Sequence, residues 1–464
     1  MKKIYLALGL VAGLTLSSCS LDAEPSASLP VDDAITTVSD LQNAVNGIGY
    51  LQSEERMTYG AEFAIYADLL TNEFTIADDY GQSKPISNYT MTKYDELPDY
   101  AYRYFYQSIA NCNKALALSK DLDDEDAESD IRNLRGQLYA WRGLLHFDIA
   151  RMFAHIPSTV DMDAANSGIV LSTDVYDADY KGSRASLKET YTQIVKDLTT
   201  GMEMMYEDNG TGYMNYYAAQ ALRARAFLYM GDYDSALADA KAVIQSGVYK
   251  LYTRDNYVEV WGKEGTSESI FEVLITDTHN PQRNSAGYYT DANGYPECAF
   301  NEDGKLYEYL TGPVNDIRGA LVKAQSISGM SGIYYFPAKY PGRGMLYVNN
   351  PKIIRLSEMY LIAAEAELVG NGDAAAAATY INELRKNRID GYVDETSVTI
   401  DDIIFEYSKE FFAENQIAFA YWRNKQSVTN QVGNVINYDN PRTIMPIPQR
   451  EIDYDPSLVQ NAGY

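Results

Sequence analysis

Residues 211–247 read TGYMNYYAAQALRARAFLYMGDYDSALADAKAVIQSG, and this stretch decides the fold. Tyr216, Ala219, Leu222, Ala226 and Tyr229 recur at helical spacing, Gly231-Asp232 interrupts the run, and residues 233–244 resume it. The pattern predicts a helix–turn–helix hairpin. Small residues at Ala224, Gly231, Ala236 and Ala240 let the two helices approach closely, while Phe227 and Tyr233 fill the gap. One hairpin cannot bury its apolar face alone, so the chain must supply others.

The same grammar recurs at residues 99–120 with 128–153, at 186–206 leading into the first hairpin, and at 355–369 with 373–388. These hairpins resemble tetratricopeptide repeats. The acidic stretch 121–130 (DLDDEDAESD) lacks the glycine and terminal glutamate of a calcium loop and reads as a solvated connection into the next helix. Between 249 and 350 the character changes. Glycines, prolines and tyrosines cluster (284–296, NSAGYYTDANGYP; 332–344, GIYYFPAKYPGRG), and short β-like runs such as 269–275 (SIFEVLI) are the only regular elements. The expected fold is mainly α, a scaffold of tetratricopeptide-like helical hairpins carrying a few short strands and a loop-rich excursion over 249–350. Rigid helices bearing long aromatic loops suit a recognition surface. No linker or composition break divides the chain, so residues 19–464 are expected to form a single domain.

The N-terminus reads as an export signal, with Met1-Lys2-Lys3, an apolar run over 4–16 and then Leu16-Ser17-Ser18-Cys19. The last four residues resemble a lipobox, which implies cleavage after 1–18 and lipidation of Cys19, with 19–30 as a flexible tether. No other apolar stretch approaches the ~20 residues that cross a bilayer, so the lipid is the expected anchor. Removing the leader takes away Lys2 and Lys3, leaving 36 basic against 65 acidic residues and a formal charge of −29. Such a surface repels phosphate backbones, so no nucleic-acid partner is expected. The remaining cysteines, Cys112 and Cys298, are expected to be buried thiols rather than a disulfide, because Cys112 sits in an apolar helical pattern.

Six segments in order resemble the SusD/RagB family of outer-membrane nutrient-binding lipoproteins. They are 104–118 (YFYQSIANCNKALAL), 138–157 (LYAWRGLLHFDIARMFAHIP), 168–171 (GIVL), 184–202 (RASLKETYTQIVKDLTTGM), 351–388 (PKIIRLSEMYLIAAEAELVG through NELRKNR), and 446–453 (PIPQREID) with 456–464 (PSLVQNAGY). The resemblance implies a non-enzymatic, surface-exposed lipoprotein of the outer membrane that delivers ligand to a SusC-like TonB-dependent transporter. One departure stands out. Residues 406–425 (EYSKEFFAENQIAFAYWRNK) place Asn415 where the family commonly has glycine, which suggests altered packing and a divergent, RagB-like subgroup. The expected ligand is an oligosaccharide. Peptide capture and a scaffold role in organising surface enzymes are the alternatives.

Catalytic hardware is sparse. His146, His155 and His279 are the three histidines, the first two expected on one helix among apolar neighbours, with no His-Glu-x-x-His, Gly-x-Ser-x-Gly or Cys/His pairing. No enzyme activity, metal or cofactor is expected. The feature that points to a ligand is 41 tyrosines against 13 phenylalanines and three tryptophans, because a tyrosine offers a flat apolar face and an edge hydroxyl. Those on helices, such as Tyr102, Tyr106, Tyr217 and Tyr229, are expected to pack between helices, as are Trp141 and Trp422. Loop aromatics have less reason to be buried. Tyr80, Tyr94, Trp261, Tyr288, Tyr289 and Tyr295 are therefore the ligand-binding candidates, with Asn72, Asp79 and Asn293 as polar contacts to sugar hydroxyls. The family resemblance assigns the ligand surface to the early loop that carries Tyr80 and Tyr94 and to the 249–350 excursion.

Overall fold

The computed structural model describes residues 34–464 apart from residue 178; the expected leader, Cys19 and the tether lie outside the described residues. Outside residues 249–350 its main helices are α1 (Val38–Glu54), α2 (Glu96–Leu118), α3 (Glu128–Phe153), α4 (Leu187–Met204), α5 (Tyr216–Met230), α6 (Tyr233–Ser246), α7 (Leu356–Glu365), α8 (Ala374–Lys386), α9 (Ile400–Phe411), α10 (Ile417–Arg423) and α11 (Gln449–Tyr454). Among the described residues, none is long and apolar enough to cross a membrane.

The hairpin predicted at 211–247 is α5 and α6. Asn215 starts it by accepting the Ala218 amide, Gly231 ends α5 in the left-handed region at φ 76°, and Asp232 caps α6 through the Ser235 amide. Ala224, Ala236 and Ala240 are fully buried at the contact. Tyr233, expected between the two helices, packs instead on Gly370 of the π-helical turn Ala366–Gly370 that extends α7, where a Cβ would come within 2.5 Å of the tyrosine's own Cβ. Reciprocal capping boxes at Thr37, Ser186 and Thr399 open α1, α4 and α9.

Close helix packing again depends on small residues. A Cβ on Gly201 of α4 would meet the Gly136 carbonyl of α3 at 2.8 Å, and one on Gly143 would meet Leu198 at 3.0 Å. Beside this seam Arg142 forks onto Asp197 at 2.7 and 2.8 Å, buried, and Arg223–Asp239 and Arg225–Glu358 join α5 to α6 and α7 in the same way.

The strands are short and pair in twos, all antiparallel: β1 (Phe74–Thr75) with β3 (Ala299–Phe300), β2 (Ser269–Glu272) with β6 (Lys352–Arg355), β4 (Val322–Gln325) with β5 (Tyr334–Pro337), and β7 (Val428–Thr429) with β8 (Val435–Ile436). The stretch 249–350 is loop-rich as predicted, but it also holds a helix at Lys305–Thr311 and the β4–β5 hairpin. Strand β4 escaped prediction because VKAQ is partly exposed throughout and has no alternation.

His146 and His155 do not share a helix: α3 stops at Phe153, with Ala154 extended at φ −139° ahead of Pro157. Cys112 and Cys298 are both buried free thiols, and burial pushes Cys112 up to about 12. Trp141 and Trp422 are core residues, as are the helix tyrosines Tyr102, Tyr217 and Tyr229.

Candidate functional site

Two loops more than two hundred residues apart meet through main-chain pairing. Phe74 pairs with Phe300 and Thr75 with Ala299, and the Ala77 and Asp78 amides both donate to the Pro296 carbonyl. Beyond that point a buried carboxylate takes over. Glu297 accepts from the Tyr80 amide at 2.6 Å and the Gln82 amide at 3.2 Å on Oε1, and from the Ser83 amide at 2.5 Å on Oε2. The loop that carries Tyr80 is thereby clamped onto the segment that carries Tyr295.

The second loop is equally fixed. Ser285 caps a short helix, Ala286–Tyr289, and the Tyr295 amide returns to the Tyr288 carbonyl at 2.8 Å. Gly294 is required here, because a Cβ would lie 2.0 Å from the Tyr288 carbonyl oxygen. Asp291 ties the loop tip to β4: its Oδ2 accepts from Lys323 Nζ at 2.6 Å and Gln325 Nε2 at 2.9 Å, and its Oδ1 from the Asn293 amide at 2.9 Å. These bonds hold the Asp291 carboxyl below its usual range against the opposing effect of burial.

The result is an aromatic platform centred on Tyr295. The Tyr80 ring lies 5.1 Å from it, tilted by 44°, and the Tyr288 ring 5.1 Å away, edge-on at 76°. Tyr80 is half exposed, and Tyr288 and Tyr295 are partly so. Asp79 and Lys84 pair at 2.5 Å beside Tyr80, and the Lys84 hydrogen bond holds the Asp79 carboxyl below its usual range, so it is an acceptor at neutral pH. Asn293 is exposed at the tip of the other loop, its Nδ2 donating to Asp291 Oδ1 at 3.0 Å.

Two of the predicted ligand contacts are core residues. Tyr289 is fully buried beneath the platform, 5.9 Å from Tyr295, and its hydroxyl donates to Glu62 at 3.1 Å; Glu62 is held in turn by Arg56 and the Met57 amide. Trp261 is buried against a lattice of interior charges. Lys339 Nζ lies 4.6 Å and the Arg355 guanidinium 5.3 Å from its ring, and both cations pair with Glu414. Burial pushes Lys339 down to about 8 against the pull of Glu414. Loop position gave no sign of this, because the partners that cover these rings lie far away in the chain.

Asn72 and Tyr94 are not brought to the platform. Asn72 lies before β1, its carbonyl accepting from Asn301 Nδ2 at 2.8 Å. Tyr94 is exposed on a separate hollow near the start of α2, with Lys93 Nζ 5.5 Å from its ring. Sequence reasoning missed the groups that hold the platform in place, Glu297, Asp291, Lys323 and Gln325; the only local hint was the close spacing of acids with glycine in DANGYPE.

Residues 175–464 match the family model described as SusD family, and residues 20–228 match one described as starch-binding, associating with outer membrane. The SusD-like protein P2 of Formosa agariphila is 24% identical over 521 residues that span both chains in full. Among solved structures, a SusD superfamily protein from Bacteroides thetaiotaomicron is 29% identical with a TM-score of 0.85, covering 92% of this chain and 99% of that one. A putative sugar binding protein from Bacteroides vulgatus is 27% identical with a TM-score of 0.84, covering 93% and 99%.

Proposed function

Because this chain belongs to the SusD family, matched over residues 175–464, we propose that it is a lipid-anchored protein of the outer-membrane surface that captures oligosaccharides and passes them to a SusC-like TonB-dependent transporter. The observation that carries the ligand class is the platform of Tyr80, Tyr288 and Tyr295. Flat apolar faces match the C–H faces of pyranose rings, and the Asp79, Lys84 and Asn293 side chains nearby can exchange hydrogen bonds with hydroxyls. The description of one matched family model as starch-binding and the naming of a similar structure as a putative sugar binding protein support the same class.

The protein acts by binding, without catalysis. Both loops of the platform are fixed by bonds within the protein, to Glu297 and to Asp291, so little ordering cost falls on the complex. A shallow surface of two or three rings yields about 4 to 8 kcal/mol net, that is, millimolar to micromolar affinity. Calorimetry of the mature chain against neutral oligosaccharides tests this. The expected result is binding in that range, nearly unchanged between low and high salt, because a neutral sugar has no charge to screen. Binding of cationic peptides that weakens steeply with salt, with no response to any glycan, would overturn the saccharide assignment.

A further inference from the structure

A second aromatic cleft runs along α2, apart from the platform. One part, of about 410 Å³, is lined by Tyr102, Tyr106, Tyr176, Tyr180, Ser172 and Tyr454. Arg103 and Arg450 line both this part and an adjoining hollow of about 530 Å³, whose walls include Tyr94 and Tyr100. The Tyr176 and Tyr180 rings stack face to face at 3.8 Å and 12°, 39% and 43% exposed. Tyr102 and Tyr106 meet at 4.5 Å on the floor, with the Tyr106 hydroxyl donating to the Val170 carbonyl at 2.8 Å. A single volume in this range is the size of a small-molecule site.

The charges of the cleft decide what it takes. Arg103 pairs with Asp99 at 2.7 Å, and Arg450 pairs with Glu451 at 2.6 Å and Asp99 at 3.3 Å. Lys181 Nζ stands 5.7 Å from the Tyr454 ring. The arginines are thus already balanced by carboxylates, and an anionic ligand would have to displace them. An apolar ligand would strip water from these ion pairs and from the exposed tyrosine edges without offering hydrogen bonds in return. The carboxylates of Asp95, Glu96, Asp453 and Asp455 also line the cleft, so flat ring faces are bordered by paired donors and by further hydroxyl acceptors, which suits a ligand with apolar faces and hydroxyl edges.

We propose that this cleft is a second saccharide site, which holds a neutral oligosaccharide chain along α2 between Tyr180 and Tyr94. It rests on the cleft alone and stands whether or not the platform binds sugar. The test uses the mature chain and five probes: the hexaoses of the malto, cello, xylo, manno and galacto series. Calorimetry is run on the native chain, on Tyr80→Ala/Tyr295→Ala, on Tyr176→Ala/Tyr180→Ala, and on the fourfold variant. The platform variant is expected to retain binding of at least one hexaose, and adding the cleft substitutions to weaken that binding at least tenfold. Because Tyr176 and Tyr180 are exposed, the melting temperature should stay within about a degree, and Tyr176→Phe/Tyr180→Phe should keep most of the affinity through its stacking faces. The proposal falls if the platform variant binds no hexaose, or binds one with an affinity indifferent to the cleft substitutions. If native affinity is untouched by the platform substitutions but lost with the cleft, the platform assignment falls and the cleft stands.

Discussion

Glu297→Gln isolates what positions the platform from what forms it. The native carboxylate is fully buried and accepts from three main-chain amides, those of Tyr80 and Gln82 on one oxygen and that of Ser83 on the other. A glutamine of the same shape has one acceptor oxygen, and its NH₂ group must face a donor. If the oxygen stays near the Tyr80 and Gln82 amides, the Ser83 amide is orphaned; if it flips, the other two are. A hydrogen bond to a charged group is worth about 1.5 to 3 kcal/mol and a buried orphan donor costs about 1 to 3 kcal/mol. Relief of the buried charge offsets part of this, so the net loss should be about 2 to 4 kcal/mol, confined to residues 80–83. Hydrogen exchange at those amides should accelerate roughly 30- to 1,000-fold, at 1.36 kcal/mol per decade. Saccharide affinity should fall severalfold as the Tyr80 ring loosens, while exchange in α3 and α5 stays unchanged. Unaltered exchange at 80–83 would refute the clamp, and a collapse of the whole fold would show that Glu297 belongs to the core rather than to the site.

Tyr80→Ala should cost about 1 to 3 kcal/mol in saccharide binding by calorimetry with the melting temperature unmoved, since its ring is half exposed. Tyr289→Phe should do the reverse, lowering stability by about 1 kcal/mol through loss of the bond to Glu62 and leaving affinity nearly intact; a large affinity loss would show that the Tyr289 hydroxyl takes part in the site. Cys19→Ala should give a folded protein that leaves the membrane fraction, and its recovery in a detergent phase would exclude the lipid as sole anchor. Burial, with Arg142 nearby, pushes His146 down to about 3, so below pH 6.5 the unfolded chain takes up a proton that the folded chain refuses. Stability is therefore whole above pH 6.5 and lost as pH falls, by about 1.4 kcal/mol per pH unit. His146→Gln should flatten the dependence of the denaturation midpoint between pH 6.5 and 5, and an unchanged slope would assign that loss to other groups.

The helical scaffold was legible because it is written in local terms. The apolar spacing of α5 and α6, the glycine between them and the capping residues all act within a few positions of where they stand. The platform was half legible for the converse reason. Tyr80, Tyr288 and Tyr295 could be picked out as loop aromatics, but Tyr289 differs from Tyr288 only in which way a short helical turn points it, and Trp261 is covered by Lys339 and Arg355, far along the chain. Interior charge is hidden from the sequence in the same way. Arg318, Arg355 and Arg388 are all fully buried and converge on Glu410 with Glu268, Glu406 and Glu414 around them. Reading charge as surface holds only for an unpaired residue, and pairing across such separations leaves no trace in composition.

Asn415 shows how far a departure from a family pattern can be taken. Asparagine in place of glycine suggested altered packing, but the backbone there keeps the conformation that favours glycine, φ 61°, which asparagine tolerates better than most residues. The side chain that glycine lacks is put to use. Its Oδ1 accepts the Ala67 amide at 2.8 Å, and the Asn415 amide donates to buried Asp68 at 2.8 Å. Residues 67 and 68 lie in the short helix Tyr66–Leu69 just ahead of β1, the strand that aligns the Tyr80 loop with the Tyr295 segment. The substitution therefore ties the turn between α9 and α10 to the root of the platform. Restoring glycine would leave the Ala67 amide buried without that acceptor, so Asn415→Gly should loosen β1 and lower saccharide affinity along with stability. An effect on stability alone would place Asn415 with the scaffold and separate it from the site.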